Sequence, residues 1–451
     1  MIAIANMVKI LHLSDIHLGS GFNHGRINPE TGLNTRLEDF ARSLHACVDA
    51  AIANSVDLVL FGGDAFPDAT PPPYIQQIFA QEFCRLVAAD IPTVLLVGNH
   101  DQHAQGTGGA SLCIYRTLGV PGFIVGDRLT THRIETRSGP IQVITLPWLT
   151  RSTLLTRPET QGLSMREISE LLLDRLRVVL ESEIRKLDST RPTVLLAHLM
   201  TDTARYGAEK FLAVGKGFSV PMAILARTCF DYIALGHVHK YQAVCQSPLA
   251  IYPGSIERVD FSEEKEEKGY VLVEVERGSA NAQFCPLPTR AFKTLEINLT
   301  QAENPQTALL EAIKKANIKE KVIKLTYKLR ADQIEAIDNS LIVQQLSRAH
   351  SYTIQPELVS QLSRPRLPEL GVDSSLSPMS ALQAYLDNRE DLSAIAPDIL
   401  TAAQGLLNQD PNGDKEITAP PNPVELDSVE QAALQRNKSR QSDGSKQLRL
   451  L

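Results

Sequence analysis

Five short apolar segments of this chain are each followed at once by residues that commonly bind metal ions. The segments span residues 10–13, 58–61, 94–97, 194–197 and 232–235, and their length and apolar character predict buried strands. In open α/β sheets, ligand-binding residues gather beyond the carboxyl ends of the strands. We therefore expect the five endings to meet in one site. They are Ser14-Asp15-Ile16-His17, Gly62-Gly63-Asp64, Gly98-Asn99-His100-Asp101, His198 and Gly236-His237-Val238-His239.

Strand patterns alternate with amphipathic helical patterns between residues 8 and 286, which is typical of an α/β layer structure. One helix is predicted over residues 37–52, where apolar side chains recur at helical spacing. Another begins at Ser164, which can form a capping box with Glu167. These patterns predict an α/β domain that spans residues 1–286.

The end of this first domain has its own pattern. Residues 263–268 carry six consecutive charged side chains and are predicted to form a solvent-exposed run. A hairpin of residues 270–276 and 280–285 is then expected to close the domain.

A smaller unit follows and is predicted to be a compact α+β cap domain of residues 287–362. It is about seventy residues long, which is near the low end of domains that fold independently. Its predicted elements are a strand at 292–299, a helix at 305–316, a strand at 322–329 and a helix at 334–346.

The rest of the chain is predicted to contain a linker at 363–376, a helical segment at 377–408 and a disordered tail at 409–451. The tail is rich in polar residues and contains too few apolar ones to offset the entropy of ordering it. The helical segment has an apolar face, which either docks on a partner protein or packs on its own domain. That face carries Leu382, Tyr385 and Leu386.

Composition limits the class of protein. A chain of 451 residues is expected to form more than one domain, and 43% hydrophobic with 22% charged residues is typical of a globular protein. The net charge of −7 excludes a general polycation, so any nucleic-acid contact must be local or shared with a partner. No apolar stretch is long enough to span a membrane, and the N-terminus lacks the basic region of a signal peptide, so a cytoplasmic location is predicted.

The candidate ligands suit a pair of divalent metal ions. Two ions held roughly 3.5 to 4 Å apart need one carboxylate that bridges them, and Asp64 is the natural bridge. On an extended ending, residues i and i+2 project to the same side, so Asp15 and His17 are expected to reach one ion together. The predicted ligands of the first ion are Asp15, His17, Asp64 and His239, and those of the second are Asp64, Asn99, His198 and His237.

The type of ligand indicates the type of ion. Carboxylate, amide and imidazole ligands without a thiolate suit manganese, iron or zinc, and manganese is our first choice. The six cysteines are scattered without a Cys-x-x-Cys pair, which argues against a thiolate site and against a disulfide framework. The predicted cofactors are therefore two divalent metal ions, with Mn²⁺ favoured.

A site of this kind is expected to hydrolyse phosphoesters. The two ions lower the pKa of the water between them and so make hydroxide available near neutral pH, and they also neutralise charge on the phosphate oxygens. His100 directly follows a ligand and is predicted to protonate the departing oxygen or to stabilise its charge. Asp101 is predicted to orient His100 through a hydrogen bond. Four other histidines are predicted to be surface or core residues, namely His12, His45, His132 and His350.

Taken together, the five endings resemble the calcineurin-like metallophosphoesterase superfamily. This resemblance implies a sandwich of two mixed β-sheets flanked by helices. Three further segments make the chain similar to the SbcD nuclease subunits, which are bacterial relatives of the nuclease in eukaryotic double-strand-break repair. These segments are His17-Leu18-Gly19, Pro71-Pro72-Pro73-Tyr74 and Ile251-Tyr252-Pro253-Gly254-Ser255-Ile256-Glu257-Arg258.

The narrower resemblance implies a manganese-dependent DNA nuclease with 3′ to 5′ exonuclease and endonuclease activity in DNA repair and recombination. It also implies an SbcC-like coiled-coil ATPase as partner and a homodimer within a heterotetramer. The chain lacks a G-x-x-x-x-G-K-[ST] phosphate loop, so any ATP use is expected from the partner. The resemblance assigns the seven predicted metal ligands and His100 as the catalytic histidine. Family members often have Gly-Asp-x-Phe-Asp, whereas this chain inserts Pro67 before Asp68.

Substrate contacts and two other classes of function stay open at this point. A cluster of basic residues in the cap either contacts DNA phosphates or is simply a solvated surface. One alternative function is a metallophosphoesterase for nucleotides or small phosphodiesters, and the other is an inactive scaffold subunit. The cluster contains Lys314, Lys315, Lys319, Lys321, Lys324, Lys328 and Arg330.

Overall fold

The computed structural model describes residues 7–103, 109–149, 162–205, 219–359, 378–387, 392 and 395–407. The chain divides into two compact units, residues 1–361 and residues 362–451. Among the described helices, none is both long enough and apolar enough to cross a membrane. The predicted linker at 363–376 and tail at 409–451 lie outside the described residues.

The described strands lie in two large sheets, one small sheet and a short pair. Their bounds are β1 Val8–Leu13, β2 Leu58–Phe61, β3 Thr93–Leu96, β4 Phe123–Gly126, β5 Thr130–Thr136, β6 Gly139–Leu146, β7 Thr193–His198, β8 Met200–Thr201, β9 Ser219–Val220, β10 Tyr232–Gly236, β11 Gln242–Gln246, β12 Leu249–Tyr252, β13 Gly269–Glu276, β14 Ser279–Pro286, β15 Phe292–Asn298, β16 Val322–Arg330 and β17 Ser351–Val359.

The helices flank these sheets, and short 3₁₀ helices span Phe22–His24, Phe261–Glu263 and Ala331–Ala336. The capping box predicted at Ser164 is present, since its hydroxyl accepts from Glu167 N and the Glu167 side chain accepts from Ser164 N. The α-helices are α1 Thr35–Ala53, α2 Pro73–Ala88, α3 Cys113–Leu118, α4 Met165–Ile184, α5 Met222–Leu225, α6 Pro305–Lys315, α7 Asn339–Leu346, α8 Pro378–Asp387 and α9 Ala396–Leu407.

Both large sheets are mixed, and each has six strands among the residues that the structure describes. The first has the order β14-β13-β1-β2-β3-β4, in which β1 to β4 are parallel and β13 pairs antiparallel with β1. The second has the order β11-β12-β10-β7-β6-β5, in which β12, β10, β7 and β6 are parallel. The predicted fold, a sandwich of two mixed sheets flanked by helices, with a small α+β unit and C-terminal helices, is confirmed.

Alternation along the strands builds the layers. In β1, Ile10 packs against residues of both sheets, including Leu60 and Val194, while Leu11 and Leu13 lie in a core that contains residues of α1 and α2. The opposite face of the second sheet packs on α4. Because side chains of a strand alternate between its two faces, each buried strand contributes to two cores. This layering explains why the predicted strands read as continuous apolar runs.

The carboxyl ends of the two sheets meet closely. A Cβ atom at Gly236, at the end of β10, would lie 2.2 Å from the carbonyl oxygen of Gly62 and 2.5 Å from Ser14 Oγ. Only glycine fits at this contact. The polar residues that follow β1, β2 and β10 are therefore brought to one place.

The small sheet, β15-β16-β17, is parallel and packs on α6 and α7 around a core that includes Leu309, Ile323, Leu325 and Ile342. The prediction of a helix over 334–346 is wrong in its first half, because a 3₁₀ helix ends there at Ala336. The α-helix starts only after Asp338, whose side chain accepts from Ser340 N. Strand β17 was not predicted because both of its faces are largely exposed and it lacks an alternating apolar pattern.

Polar side chains join this small sheet to helix α1. Arg290 donates two hydrogen bonds of 2.6 and 2.8 Å to the buried carboxylate of Asp39. His350 Nε2 lies 2.8 Å from Thr35 Oγ1. The cap residues therefore belong to the same compact unit as the two large sheets, and the boundary at residue 286 stays a prediction.

Candidate metal centre

The ending of β1 is not extended, which corrects the geometry assumed from the sequence. Asp15 and His17 have φ of 53° and 45°, in the left-handed region. Their backbone amides donate to Gly63 O and Asp64 O, both at 3.0 Å, so the turn is held against the end of β2. Asp64 and His237 also have positive φ, at 60° and 100°. Such backbone strain costs on the order of 1 to 3 kcal/mol for each residue and concentrates at functional sites.

The first group of predicted ligands converges on one point. The ligand atoms of Asp15, His17 and His239 all lie within 4.8 Å of one another, and all three residues are buried. His17 Nε2 lies 3.0 Å from His239 Nε2 and 3.8 Å from Asp64 Oδ2. We call this cluster, with Asp64, the first position.

The second group also converges. Asn99 Oδ1 lies 2.8 Å from His237 Nδ1 and 3.0 Å from His198 Nε2. His198 Nε2 lies 3.3 Å from Asp64 Oδ2, and the ligand atoms of Asp64, His198 and His237 are within 4.8 Å of one another. We call this cluster the second position. Asp64 lies in both clusters, where the sequence analysis expected a bridging carboxylate.

The charges of these buried groups balance one another. Burial raises the pKa of Asp15. For Asp64 burial acts in the same direction, but the charge of His198 outweighs it and holds the pKa of Asp64 well below its usual range. The pKa of His198 is raised to about 9, because the Asp64 carboxylate overcomes the effect of burial. A proton on His198 thus compensates the charge of Asp64. A divalent ion bound by His198 would take the place of that proton, because a ligand imidazole must be neutral.

Two other histidines are held neutral. Burial, followed by the charge of neighbouring histidines, lowers the pKa of His17 and His237 well below the usual value. Neutral imidazoles and carboxylates facing one buried point form a donor set for a cation. The residues therefore fit divalent metal ions.

Asp101 has a different position from the one predicted. Its carboxylate accepts hydrogen bonds from the backbone amides of Gly98 and Asp64, both at 2.9 Å, and of Ala65 at 3.0 Å. Burial and the nearby Asp64 carboxylate raise the pKa of Asp101 to about 6. Asp101 therefore braces the two loops that present Asp64 and Asn99, and the prediction that it orients His100 is not what the structure shows.

His100 is oriented by the residue that departs from the family pattern. Its Nδ1 lies 2.7 Å from the carbonyl oxygen of Pro67, which can only accept, so Nδ1 donates. The backbone amide of His100 donates to Asp64 Oδ1 at 2.8 Å. The half-buried His100 ring packs edge-on against His17, with centroids 4.9 Å apart. This places the predicted acid beside both positions.

Glu263 was missed by the sequence analysis, which assigned residues 263–268 to a solvent-exposed run. That assignment is wrong for Glu263 and Lys268, whose exposed fractions are 4% and 1%. Glu263 Oε1 lies 2.7 Å from His239 Nδ1, and Glu263 Oε2 lies 2.7 Å from Lys268 Nζ. Burial acts to raise the pKa of Glu263, but His239 and Lys268 together lower it to about 2. A run of charged residues does not by itself reveal which of its members are buried.

Trp148 was also missed. Its ring centroid lies 4.7 Å from that of His237, with 33° between the planes, and 6.0 Å from that of His198. It is the only tryptophan of the chain. The sequence position of Trp148 could have indicated its place in the site, because it closely follows β6. Strand β6 is parallel to β7 and ends at the same edge of the sheet.

Residues 251–258, one of the three segments that resemble the SbcD subunits, pack around the loop that contains His239. Ser255 N donates to His239 O at 3.0 Å, and Tyr252 Oη donates to Leu199 O at 2.9 Å. A Cβ atom at Gly254, whose φ is 80°, would lie 2.6 Å from His239 O. These residues shape the loop that presents His239.

The four remaining histidines named in the sequence analysis make structural contacts. His12 is fully buried between the sheets, where its Nδ1 lies 2.9 Å from Tyr232 Oη. His45 is exposed and lies 2.9 Å from Glu82, while His132 Nε2 lies 3.2 Å from Thr145 Oγ1. His350 belongs to the contact between the cap and α1 described above. All four are surface or core residues, as predicted.

The class of protein follows from the fold and from a family comparison. A sandwich of two mixed sheets, with clustered aspartate and histidine side chains at the strand ends, has the architecture of a metal-dependent phosphoester hydrolase. The family model described as "Calcineurin-like phosphoesterase" matches residues 8–241, which is more than half of the chain. This chain belongs to the calcineurin-like phosphoesterase family, whose members are hydrolases that use divalent metals.

Solved structures give more distant similarities. A dimetal phosphatase from Danio rerio is 13% identical with a TM-score of 0.37, and 62% of this chain and 99% of that chain are covered. The protein TT1561 of Thermus thermophilus is 16% identical with a TM-score of 0.35 and the same coverage of both chains. A purple acid phosphatase from yellow lupin (Lupinus luteus) seeds is 13% identical with a TM-score of 0.34, covering 62% of this chain and 51% of that one. We draw no functional inference from similarities this distant.

Proposed function

We propose that this chain is an SbcD-like DNA nuclease subunit. It uses two divalent ions, Mn²⁺ by preference, to hydrolyse DNA phosphodiesters as a 3′ to 5′ exonuclease and as an endonuclease in DNA repair and recombination. The observation that carries the proposal is the sharing of Asp64 by two adjacent ligand clusters, because a bridged pair of ions suits phosphodiester hydrolysis.

Each cluster is assigned to one ion, and His100 is assigned to proton transfer. The first position would hold one ion and the second position the other, with Asp64 common to both. When bound, the two ions lower the pKa of water and neutralise charge on the phosphate. Pro67 O fixes the ring of His100 at Nδ1, which leaves Nε2 as the atom that can carry a proton to the departing oxygen.

The presence of the cap favours DNA, a polymer, over a single nucleotide as the substrate. A nucleotide esterase has little need of an extra sheet beside the ligand loops, whereas a nuclease gains a second surface for the DNA backbone. Part of the basic cluster is already paired with acids, because Lys315, Lys328 and Arg330 lie 3.6, 3.7 and 2.9 Å from Glu311, Glu357 and Asp332. We therefore assign phosphate contact to the remaining cap lysines, with an affinity that falls as salt rises. These are Lys314, Lys319, Lys321 and Lys324.

The partner proposal is an SbcC-like coiled-coil ATPase that docks on helix α8, with two copies of each chain in the assembly. In this helix Leu386 has an exposed fraction of 3%, and Leu382 is half-buried. The apolar face is thus partly covered within the chain itself, so docking depends on the part that stays accessible. A chain truncated after residue 362 that still binds the ATPase would contradict this part of the proposal.

The test of nuclease function uses end-labelled duplex and hairpin DNA with the purified chain in Mn²⁺, with and without the ATPase. We expect shortening of the duplex from its 3′ end and opening of the hairpin. The variant His100→Asn should lose both activities, and His45→Asn, on an exposed histidine, should keep them. Hydrolysis of small aryl phosphodiesters without any DNA cleavage would favour the small-molecule alternative. No turnover of either substrate in abundant Mn²⁺ would favour the scaffold.

A further inference from the structure

Glu263 and His239 form a buried carboxylate–imidazole pair next to the first position. The two residues are 4% and 8% exposed, and Glu263 Oε1 lies 2.7 Å from His239 Nδ1. An ionised carboxylate can only accept a hydrogen bond, so His239 Nδ1 must carry the hydrogen. The other ring nitrogen, Nε2, then presents its lone pair toward His17 and the rest of the first position, 3.0 Å from His17 Nε2. The pair thus fixes both the tautomer and the ring plane of His239.

Glu263 is itself held from several sides. Its Oε2 accepts from Lys268 Nζ at 2.7 Å and from the backbone amide of Val259 at 3.1 Å. Lys268 Nζ also donates to His239 O at 3.0 Å and to Glu266 at 2.8 Å. Lys268 therefore ties the carboxylate and the His239 backbone together. A carboxylate bound in this way cannot turn away from the histidine without losing several charge-assisted hydrogen bonds.

The short helix that carries Glu263 is fastened to the cap strand β15. The rings of Phe261 and Phe292 lie 4.9 Å apart, and the backbone amide of Thr294 donates to Glu264 Oε2 at 2.9 Å. Arg258 adds a second connection, since it donates to Glu263 O at 3.2 Å and to Thr289 Oγ1 at 2.7 Å. Contacts therefore run without interruption from β15 through residues 258–264 to His239.

We propose that Glu263 is the positioning residue of His239 and that β15 of the cap holds Glu263 in place, so that the first position depends on the cap. This inference rests on the proposed two-metal function, because it assigns His239 to an ion. It gives the cap a role in metal binding that is separate from any contact with DNA. It also predicts that the two positions respond differently to changes at residue 263.

The experiment measures Mn²⁺ binding in the full chain by equilibrium dialysis, while Trp148 fluorescence reports the second position separately. In Glu263→Gln we expect the affinity of the first position to fall about 10- to 100-fold. The Trp148 midpoint should stay at its wild-type value. The matched control is Glu267→Gln, which removes the same charge from an exposed residue of the same run and should leave both positions unchanged. Phe261→Ala, which leaves Glu263 intact, should weaken the first position by a smaller factor.

The outcomes separate this inference from the proposed function. A folded Glu263→Gln variant with wild-type binding at both positions, or with equal loss at both, overturns the positioning role alone. Unchanged binding in Phe261→Ala overturns the part played by the cap. A wild-type chain that binds no Mn²⁺ overturns the metal site and this inference together. If thermal unfolding shows that Glu263→Gln does not fold, Glu263→Gln/Lys268→Met, which also removes the lysine charge, is measured against the same expectations.

Discussion

The indole ring of Trp148 covers the imidazole ring of His237, with centroids 4.7 Å apart and 33° between the ring planes. His237 also lies within hydrogen-bonding distance of Asn99, a predicted ligand of the second ion. Since the chain has no other tryptophan, its tryptophan emission comes entirely from the edge of the second position.

We expect Mn²⁺ to quench Trp148 fluorescence in a saturable titration, because a paramagnetic ion would then lie next to His237, whose ring centroid is 4.7 Å from that of the indole. His198→Gln removes a predicted ligand of the second position and should raise the midpoint about 10-fold or more. His239→Gln removes a predicted ligand of the first position, whose side chain contacts His17 and Glu263, and should leave the midpoint close to wild type. Trp148 emission that does not change with Mn²⁺, or a midpoint that shifts equally in the two variants, would contradict the assignment of His198 and His237.

His100→Asn should lower kcat on DNA by about 10²- to 10⁴-fold, the usual contribution of a general acid. On bis(p-nitrophenyl) phosphate the loss should be smaller, because a nitrophenolate leaves without needing a proton. Steady-state rates on both substrates, with His45→Asn as the exposed control, give this comparison. An equal loss on the two substrates would show that His100 acts on something other than the leaving oxygen.

The sequence was sufficient to predict the strands and their polar endings, because burial of both sheets leaves continuous apolar runs that stop where the polar residues begin. Asp15 and His17 illustrate what it could not predict. Their positive φ is unusual for residues with side chains and depends on amides held by Gly63 and Asp64 at the neighbouring strand end. That strain appears only when the two strands are side by side.

Glu263 and Asp101 show a second limit. Whether a charged residue is solvated or buried depends on partners that are distant in sequence, such as His239 for Glu263 and the Asp64 amide for Asp101. Local charge patterns carry no information about such partners. Apolar periodicity is a local signal, whereas the pairing of buried polar groups is a property of the tertiary fold.

Asp101→Asn should lower the free energy of unfolding by about 1 to 3 kcal/mol. Burial and the Asp64 carboxylate disfavour the charge of Asp101, so loss of that charge alone would not destabilise the fold. Both carboxylate oxygens accept from backbone N–H groups, however, and in asparagine one of them is replaced by an NH₂ group, which would face such a donor. The matched control is Asp68→Asn, an exposed carboxylate that accepts from Thr70. Chemical denaturation of both variants tests this. A stability equal to wild type in Asp101→Asn would mean that the loops do not need the carboxylate.

The buried pair of His12 and Tyr232 should make stability depend on pH. Burial lowers the pKa of His12 from 6.5 to about 3, so the unfolded chain binds a proton between these values that the folded chain does not. The contribution of neutral His12 to the free energy of unfolding is therefore fully present above about pH 6.5. Below that pH the free energy of unfolding falls by up to about 1.4 kcal/mol per pH unit. The variant His12→Leu/Tyr232→Phe removes both polar groups and should show a correspondingly shallower decline in urea denaturation between pH 6.5 and 4. An unchanged slope would contradict a neutral buried His12.

We propose that the strand endings form one site for two ions with Asp64 shared between them. This proposal is tested by the number of Mn²⁺ ions bound per chain at saturation, measured by equilibrium dialysis for the wild type and for Asp64→Asn. We expect two ions in the wild type and a loss of affinity at both positions in Asp64→Asn, because the carboxylate lies in both clusters. A wild-type chain that binds a single ion, or an Asp64→Asn variant that still binds two with unchanged affinity, would rule out a two-ion site that shares Asp64.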